Sequence, residues 1–489
     1  MLCPRQFPKG PLRPFTDDGT IVASLDVRHR MSRLSRIAAS VAVVTGVIVG
    51  VPYRGPFMFA ETRSWVDQAY APGPADNPLK GFVPYRGTYE AFPYSMEFLN
   101  IPWTDLQADF DRFTWGPLDT ALEDIASRGH QLIVRIYADY PDAPYALPAF
   151  LSDVPKRSYT DFANGTRATS YAPDYDDPRL VRAMANTIRA LGERYDGDPR
   201  VAFVQVGFLG FWGEWHTYRS SCECDTWMPT YATQSAVLNA FVGAFHHTKI
   251  VVRNPDVGWA GQAIGFHDDS FAEQTLDPPR WMFAGRLKTA TATKQWRTQS
   301  IGGELLPTRQ SCAFAAHSCT AQSYDESVDV THASWLINHY AFHPGYAADE
   351  YPRALAGARR LGYDLFVSAA NLPDLMTTDP LAVSVKMQNR GVAPFPYDWT
   401  VQLGVMDRSH RIVAVYDTSW RLTSVIDPRV EVHFSYENRA HGLAAGEYTM
   451  LMRAVTPLTG GKPLVFANAA WGRDAPDWLT LGTFSVREK

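Results

Sequence analysis

One stretch, Val201–His216, constrains the fold of this 489-residue chain more than any other. It reads VAFVQVGFLGFWGEWH, and its first half is a run of apolar and β-branched residues without a helical period. Such a run predicts a β-strand that is buried on both faces, as in a parallel sheet. The stretch ends in glycines and aromatic residues around one carboxylate, Glu214. In barrel enzymes, the C-terminal ends of parallel strands hold the catalytic groups.

Seven further strands are predicted around this stretch, with helices between most of them. The predicted strands are Val83–Arg86, Glu97–Trp103, Gln131–Tyr137, Lys249–Arg253, Ala263–His267, Ser300–Gly303 and Ser334–Tyr340. The predicted helices include Thr114–Arg128, Asp177–Tyr195, Tyr231–His247 and Arg353–Leu361. Eight strands in strict sequence with intervening helices predict an α/β fold, the parallel (β/α)8 TIM barrel.

The character of the sequence changes after Leu372. Strand-like segments separated by close turns follow, and few helical stretches remain. This pattern predicts a C-terminal antiparallel β-sandwich. We therefore predict an N-terminal extension over residues 1–60, a barrel over residues 61–371 and a sandwich over residues 372–489.

The N-terminal extension contains an export-signal pattern. A basic segment, Met31–Arg36, precedes the apolar run Ile37–Val51. This run has the length of a signal-peptide core and is short for a membrane span. Translation from Met1 and from Met31 both stay open, as do cleavage near Ala60 and retention as an N-terminal membrane anchor. Either outcome predicts a secreted or cell-envelope protein whose bulk is extracytoplasmic.

Four cysteines follow the extension and predict disulfides: Cys222, Cys224, Cys312 and Cys319. The first two are too close in sequence to pair comfortably with each other. We therefore expect at least one bridge between the loop after Glu214 and the loop that holds the other two. Zinc is the alternative, but C-x-C with C-x6-C is poor zinc spacing. We expect no metal and no cofactor.

Composition and missing motifs exclude several function classes. The net charge is −5 without a basic stripe, which argues against a nucleic-acid partner. The sequence contains no G-x-S-x-G, no H-E-x-x-H, no phosphate-binding loop and no Rossmann fingerprint, which disfavours serine hydrolases, zinc proteases and nucleotide enzymes. Aromatic residues make up 13% of the chain, which suits a carbohydrate cleft, although a large aromatic core explains it nearly as well.

Two glutamates are predicted to face each other across the barrel mouth. Glu214 follows the fourth strand and Glu304 follows the seventh. Glycoside hydrolysis needs such a pair, because one group protonates the leaving oxygen while the other attacks or activates water. We predict Glu214 as the acid/base and Glu304 as the nucleophile. The alternative for Glu304 is a structural salt bridge to a mouth arginine: Arg86, Arg135 or Arg253.

Other side chains near the strand ends are candidates for substrate binding. Trp212 and Trp215 predict a stacking wall for the apolar face of a sugar ring. His216 is predicted to bind substrate or tune the neighbouring carboxylate, with a structural hydrogen bond as the alternative. Asp268 and Asp269 follow the sixth strand, where they bind sugar hydroxyls or a cation, or merely form a turn. The remaining candidates are Arg86, Arg135, Asn254 and Tyr340.

The motif Gly207–His216 closely resembles the signature of a bacterial glycosidase-like family, the domain of unknown function DUF4832. Three further segments match that family: Asn77–Phe82, Gly265–Asp269 and Gly302–Glu304. The resemblance extends from Asn77 to the C-terminus. It implies a TIM barrel of the glycoside hydrolase superfamily, together with the sandwich.

The resemblance also implies a relation to glycoside hydrolase clan A, whose retaining enzymes carry glutamates after strands four and seven. That clan typically has Asn just before the fourth-strand glutamate, where it bonds the sugar 2-hydroxyl. This chain has Gly213 there, so His216 or Asn254 would have to make that contact.

Together these patterns predict an exported glycoside hydrolase that acts on an oligo- or polysaccharide by a two-glutamate, retaining mechanism. The alternative is a non-catalytic carbohydrate-binding or cell-envelope protein that keeps the barrel and its cleft without the chemistry.

Overall fold

The computed structural model describes residues 65–161, 168–218, 222–256, 258–427 and 429–489. The predicted export signal, its cleavage site near Ala60 and both candidate start residues lie outside these ranges. The described residues from Trp65 to Lys489 belong to one compact unit. Within the described ranges, no helix has the length and apolar character needed to cross a membrane.

Eight parallel strands form a barrel, and we label them β1–β8 in chain order. They are Gly81–Val83, Met96–Pro102, Gln131–Asp139, Val201–Phe211, Lys249–Val252, Gly265–Phe271, Ile301–Leu305 and Trp335–Ile337. Each pairs in parallel with the next, and β8 pairs with β1. A parallel bridge between Tyr85 and Phe98 closes the ring between β1 and β2. The predicted TIM barrel is confirmed.

Six α-helices, α1–α6, connect or follow these strands. They are Gly116–Ser127, Pro178–Tyr195, Tyr231–Ala244, Phe283–Thr289, Tyr324–Thr331 and Tyr351–Arg360. Helix α2 begins as its sequence predicts, because the Asp177 side chain accepts the Arg179 N–H and Pro178 fills the first helical position. Its apolar face, which includes Ile188, packs on the outside of the strands.

Shorter elements lie between the main helices and strands. Two small antiparallel hairpins are Gln107–Asp109 with Arg112–Phe113 and Lys156–Asp161 with Ala168–Pro173. The 3-10 helices are Trp103–Asp105, Ala149–Leu151, Gln295–Arg297, Pro307–Arg309, His339–Ala341 and Leu422–Ser424. The second hairpin lies in the long connection between β3 and β4, on the side of the barrel that carries the strand C-termini.

All eleven residues of β4 are buried, as expected of a strand covered on both faces. Its alternate residues enter two different apolar clusters. Val204 packs outward against the helices, whereas Phe203 packs inward beside Trp335 of β8. The same alternation holds in the other barrel strands, so that every second side chain points toward the axis.

The C-terminal part consists of two further sheets, whose strands we label β9–β16. They are Leu365–Asn371, Leu375–Met376, Leu381–Asn389, Val401–Asp407, Ile412–Asp417, Val432–Asn438, Gly446–Ala454 and Leu479–Arg487. One sheet runs in the order Val66–Asp67, β9, β11, β14, and the other in the order β10, β16, β15, β12, β13. Apart from the parallel pair β10–β16, the pairing is antiparallel. The predicted antiparallel β-rich domain is confirmed.

The strand β9 pairs with β11 of the sandwich and with Val66–Asp67 near the start of the described chain. It precedes the boundary that the sequence predicts after Asn371. The sandwich therefore recruits strands from both sides of the barrel segment.

The disulfides differ from the predicted pairing. Cys222 bonds to Cys224 and Cys312 bonds to Cys319, so both bridges are local. The predicted bridge between the two loops is wrong. The Cα atoms are 5.3 and 5.6 Å apart, inside the range that a disulfide spans. Proximity in sequence was therefore no obstacle to pairing.

Candidate active site

Four side chains meet in one layer at the mouth of the barrel. They come from odd-numbered strands or the residues just after them: Tyr85, Arg135, Arg253 and Glu304. The stagger of a TIM barrel brings inward-pointing side chains of alternate strands to the same height. The observed strand pairings, followed around the ring, place these four residues in a common layer.

Glu214 reaches this layer from a tight turn after β4. Trp212, Gly213 and Trp215 all have left-handed backbone conformations, with φ of 56°, 70° and 56°. The turn folds the chain back so that the Phe211 N–H donates to the His216 carbonyl. Gly210 is required here, because a Cβ atom at this position would lie 2.5 Å from that carbonyl oxygen.

Both carboxylate oxygens of Glu214 face cations. Arg135 donates to Oε1 at 3.0 Å, and Arg253 donates to Oε2. His216 Nε2 lies 3.4 Å from Oε2. Burial alone would raise the pKa of Glu214, but Arg253 and Arg135 together lower it, so the group is ionised. Burial and Arg253 lower the pKa of His216, so this imidazole is neutral.

Arg135 is a fixed part of the site rather than a free substrate contact. All three guanidinium nitrogens are committed: Nε to Asn100 at 3.0 Å, Nη1 to Asp269 at 2.8 Å and Nη2 to Glu214 at 3.0 Å. Its side chain is only 2% exposed. These contacts hold Asp269 and Glu214 to one cation, and a substrate contact of Arg135 stays a prediction. Asp269 is held in turn by His267 Nδ1 at 2.8 Å.

Glu304 has a different environment from Glu214. Its Oε1 accepts the Tyr85 hydroxyl at 3.3 Å and the Gln310 amide at 3.4 Å, and both donors are neutral. Burial, Asp269 and Glu214 raise the pKa of Glu304 to about 8. The carboxyl group is therefore protonated at neutral pH. The salt bridge that was the alternative for Glu304 is formed instead by Glu214, with two of the three candidate arginines.

The predicted tryptophan wall is only half present. Trp212 is half-buried near His216, at 5.8 Å between ring centroids, and near Tyr140, at 6.2 Å. Trp215 is 4% exposed and packs edge-on against Trp259, while its indole N–H donates to the Gly207 carbonyl. The prediction of a stacking role is wrong for Trp215, because its side chain is committed to the core.

The two consecutive aspartates of β6 separate, since alternate residues of a strand point to opposite faces. Asp269 turns inward and joins Arg135. Asp268 accepts the Thr275 hydroxyl at 2.7 Å and the Ser270 N–H at 3.0 Å, away from the arginines. Burial raises the pKa of Asp268 to about 6.

The remaining predicted residues lie at the margin. Arg86 binds Asp124 of α1 at 2.8 Å, so its charge lies outside the mouth. The Asn254 amide donates to the Trp215 backbone carbonyl at 3.4 Å. Tyr340 is half-buried after β8 and packs against Tyr346, with 5.3 Å between ring centroids. Of these three, none contacts either glutamate within the described residues.

Sequence reasoning missed Tyr85, Gln310 and Tyr140. The pKa of Tyr140 is raised by burial, and Arg135 and both glutamates act on it, which places the phenol at the mouth. A signal for Tyr85 existed, because it lies two residues beyond Val83 of β1 and so points to the same, inward side. No sequence signal pointed to Gln310, which folds back from the loop after β7.

The charges of the mouth balance when Glu304 is neutral. Arg135 and Arg253 carry two positive charges, and Glu214 and Asp269 carry two negative charges. A protonated carboxyl group and an ionised carboxylate thus share the mouth, and the charge on Glu214 raises the pKa of Glu304. Such a site can donate a proton and stabilise or attack a developing cation. No group of acidic, His and Cys side chains suited to a metal ion occurs in the described part of the chain.

A cavity of about 850 Å³ lies at the opposite end of the barrel, between the strand N-termini and the sandwich. Its lining includes Lys249, Trp296 and Tyr397 and no member of the glutamate site. Its size alone does not indicate a chemical function.

Comparisons with known proteins add the following. No protein-family model matches the chain, and no curated protein matches it. Endo-glycoceramidase II from Rhodococcus sp., bound to a five-membered iminocyclitol, is 12% identical with a TM-score of 0.38, over 76% of this chain and all of that one (100%). The endo-β-1,4-mannanase from Thermotoga petrophila is 9% identical with a TM-score of 0.32, over 85% of this chain and 100% of that one. These similarities are too low to support an argument, so the barrel is identified from the strand order of this chain and the site from its own contacts.

Proposed function

We propose that the protein is an exported glycoside hydrolase in which Glu304 and Glu214 react with a glycosidic bond. The observation that carries the proposal is the pairing of a neutral carboxylic acid with an ionised carboxylate in a barrel mouth. Glycoside hydrolysis uses this pair, because cleavage needs a proton at the leaving oxygen and negative charge at the anomeric carbon.

The contacts favour an exchange of the roles predicted from sequence. Glu304 holds a proton, and its Oε1 already accepts two hydrogen bonds, so Oε2 is the oxygen that can deliver the proton. Glu214 is bonded by cations at both oxygens, which disfavours its protonation. Glu304 is therefore proposed as the acid/base and Glu214 as the carboxylate that faces the anomeric carbon.

The retaining reaction would then proceed in two balanced steps. In the first, the Glu304 proton passes to the glycosidic oxygen as its bond to the anomeric carbon breaks, and a Glu214 oxygen bonds to that carbon. In the second, water attacks the carbon, its proton passes to Glu304, and Glu214 leaves as a carboxylate. Attack through Oε2 requires Arg253 to move, and this side chain is the more exposed of the two arginines.

The carbohydrate partner and the exported location belong to the same proposal. Trp212 offers a half-buried indole near His216, and aromatic rings of this kind pack against sugar rings. Two disulfides are typical of proteins in oxidising compartments. Membership of DUF4832 is proposed from the Gly207–His216 motif and the three further segments that match that family.

The test is a hydrolysis screen with chromogenic aryl glycosides and polysaccharides, followed by Glu304→Gln and Glu214→Gln. Each variant should lose at least about a thousandfold in kcat while its fold persists, since acid catalysis and covalent attack each contribute on this scale. Glu97→Gln is the matched control, because Glu97 is buried and ion-paired with Arg128 and His130 outside the mouth. Equal losses in all three variants would contradict the proposal.

A non-catalytic carbohydrate-binding protein is the second candidate. The observation in its favour is the engagement of both Glu214 oxygens by guanidinium groups, which weakens the carboxylate as a nucleophile. Calorimetry with the same sugars separates the two candidates. A binder gives heat of binding without turnover, and Glu304→Gln leaves its affinity within a few fold of wild type.

A further inference from the structure

The layer beneath the mouth contains polar groups where a TIM-barrel interior is usually packed with branched apolar side chains. The same stagger that assembles the mouth places Phe98, Gln205, His267 and Ile337, all from even-numbered strands, at one height below Arg135. Two of the four are apolar, and the other two bring hydrogen-bonding groups to the barrel axis.

These polar groups lack protein partners. Gln205 is 1% exposed, and neither its amide nitrogen nor its amide oxygen is hydrogen-bonded within the described residues. His267 is fully buried, and its Nε2 is likewise unbonded there. Buried amide and imidazole atoms are costly when unpaired, and native proteins usually satisfy such groups with protein atoms or with water.

The contacts at the mouth determine which buried atoms near the barrel axis donate hydrogen bonds and which accept them. Asp269 is held ionised by His267 and Arg135, against its burial, so His267 Nδ1 must be the donor in their 2.8 Å contact. Burial lowers the pKa of His267, so the imidazole is neutral and its Nε2 is an acceptor. The Gln205 side chain supplies a donor and an acceptor at the same height. Trp335, two residues before Ile337 on β8, adds an indole N–H that is also unbonded within the described chain.

We propose that the barrel axis binds water between Gln205 and His267, and that His267 is a positioning residue for the mouth. Water is the ligand that donates to His267 Nε2 and also exchanges hydrogen bonds with a carboxamide. A second hydrogen bond on His267 fixes its ring, and the ring fixes Asp269. Asp269 then holds Arg135, which bonds Glu214.

The direct test is a crystal structure of the wild-type protein at a resolution that shows ordered water. The proposal expects a water molecule within hydrogen-bond distance of His267 Nε2 and of the Gln205 amide. An axis at this height without such a molecule overturns the proposal, whether or not any variant folds.

Gln205→Leu gives a second test, because the sign of the change in Tm depends on whether the layer contains water. If water bridges the layer, leucine removes its partner and leaves His267 Nε2 unpaired, so Tm falls. If the layer is dry, leucine removes an unpaired amide from an apolar environment, so Tm rises and the proposal fails. Ile337→Leu is the control from the same layer, because it changes side-chain shape without changing polarity.

The positioning role rests on the proposed function and has its own readout. His267→Leu cannot bond Asp269, so Asp269 no longer fixes Arg135 against Glu214. Glu214 then protonates more readily, and kcat/KM should fall about tenfold more at pH 5 than at pH 8. His267→Asn, whose amide can donate to Asp269, should restore part of the profile. Equal losses at both pH values overturn the positioning role. A wild-type protein without hydrolase activity refutes the proposed function and leaves the water test intact.

Discussion

Replacement of Glu304 by glutamine should stabilise the protein, and increasingly so as the pH rises. Glutamine has the shape of a protonated glutamic acid and can still accept from Tyr85 and Gln310 at its carbonyl oxygen. The variant therefore resembles the folded wild type at low pH. The variant and the wild type differ at higher pH. The unfolded wild type then releases the Glu304 proton, whereas the folded wild type must either keep this proton or carry a buried charge.

The magnitude follows from the difference between the folded and unfolded pKa values. Burial and the neighbouring carboxylates raise the pKa of Glu304 from 4.5 to about 8. A raised carboxyl pKa means that the folded state binds the proton more tightly than the unfolded state. The wild type is therefore most stable below the unfolded pKa and loses stability as pH rises toward 8. One pKa unit corresponds to about 1.4 kcal/mol, so Glu304→Gln should gain about 3 kcal/mol relative to wild type between pH 5 and pH 8.

Urea unfolding followed by tryptophan fluorescence at both pH values measures this gain. Glu97→Gln is the control, because Glu97 has a lowered pKa and favourable contacts with Arg128 and His130. That variant should lose stability at both pH values and show no gain as pH rises. A stability difference between Glu304→Gln and wild type that is the same at pH 5 and pH 8 would show that Glu304 ionises normally, and would refute the reasoning.

Three further predictions concern other parts of the chain. Asp139→Asn should also gain stability over wild type from pH 5 to pH 8, since burial raises the pKa of Asp139 to about 8; a flat difference in thermal unfolding contradicts this. Arg135→Met should lower the free energy of unfolding by about 3–5 kcal/mol, because it leaves Asp269 and Glu214 without their shared cation; a loss below about 1 kcal/mol contradicts the positioning role. Reduction of the Cys312–Cys319 bridge should lower stability by about 2 kcal/mol, and mass spectrometry of unreduced peptides should find both local bridges rather than a link between the loops.

The fold could be predicted because each barrel strand has a strong local signal. β4 is apolar except for Gln205, and most of the other strands are short apolar runs bounded by turns, so counting them in order is enough to identify the barrel. The existence of each strand was predictable, whereas its limits were not. β6, for example, extends to Phe271, beyond the predicted end at His267, and its polar residue Asp269 points inward to the site.

The candidate site was predictable in its two glutamates but not in their ionisation. Sequence places Glu214 and Glu304 at strand ends, yet their protonation depends on which arginines turn toward which carboxylate. That choice depends on strand stagger, which puts Arg135 and Arg253 in the same layer as Glu304 while their guanidinium groups reach Glu214. Local sequence carries no record of such an arrangement.

Trp215 and the cysteines show a related limit. A tryptophan next to a glutamate in sequence suggests a wall for a sugar, but the left-handed turn at Trp215 directs its ring into the core. The short separation of Cys222 and Cys224 argued against their pairing, but their Cα atoms lie 5.3 Å apart, close enough for a disulfide. In both cases the local path of the backbone cannot be predicted from residue type.

The protonation of Glu304 is the central claim, and carboxyl 13C NMR of glutamate-labelled protein tests it most directly. The resonances of Glu304 and Glu214 are assigned from the two glutamine variants and followed from pH 4 to pH 9. We predict that Glu304 titrates near pH 8 and that Glu214 remains ionised to below its ordinary pKa. A protonated Glu214 beside an ionised Glu304 at neutral pH would contradict it and would return the acid role to Glu214.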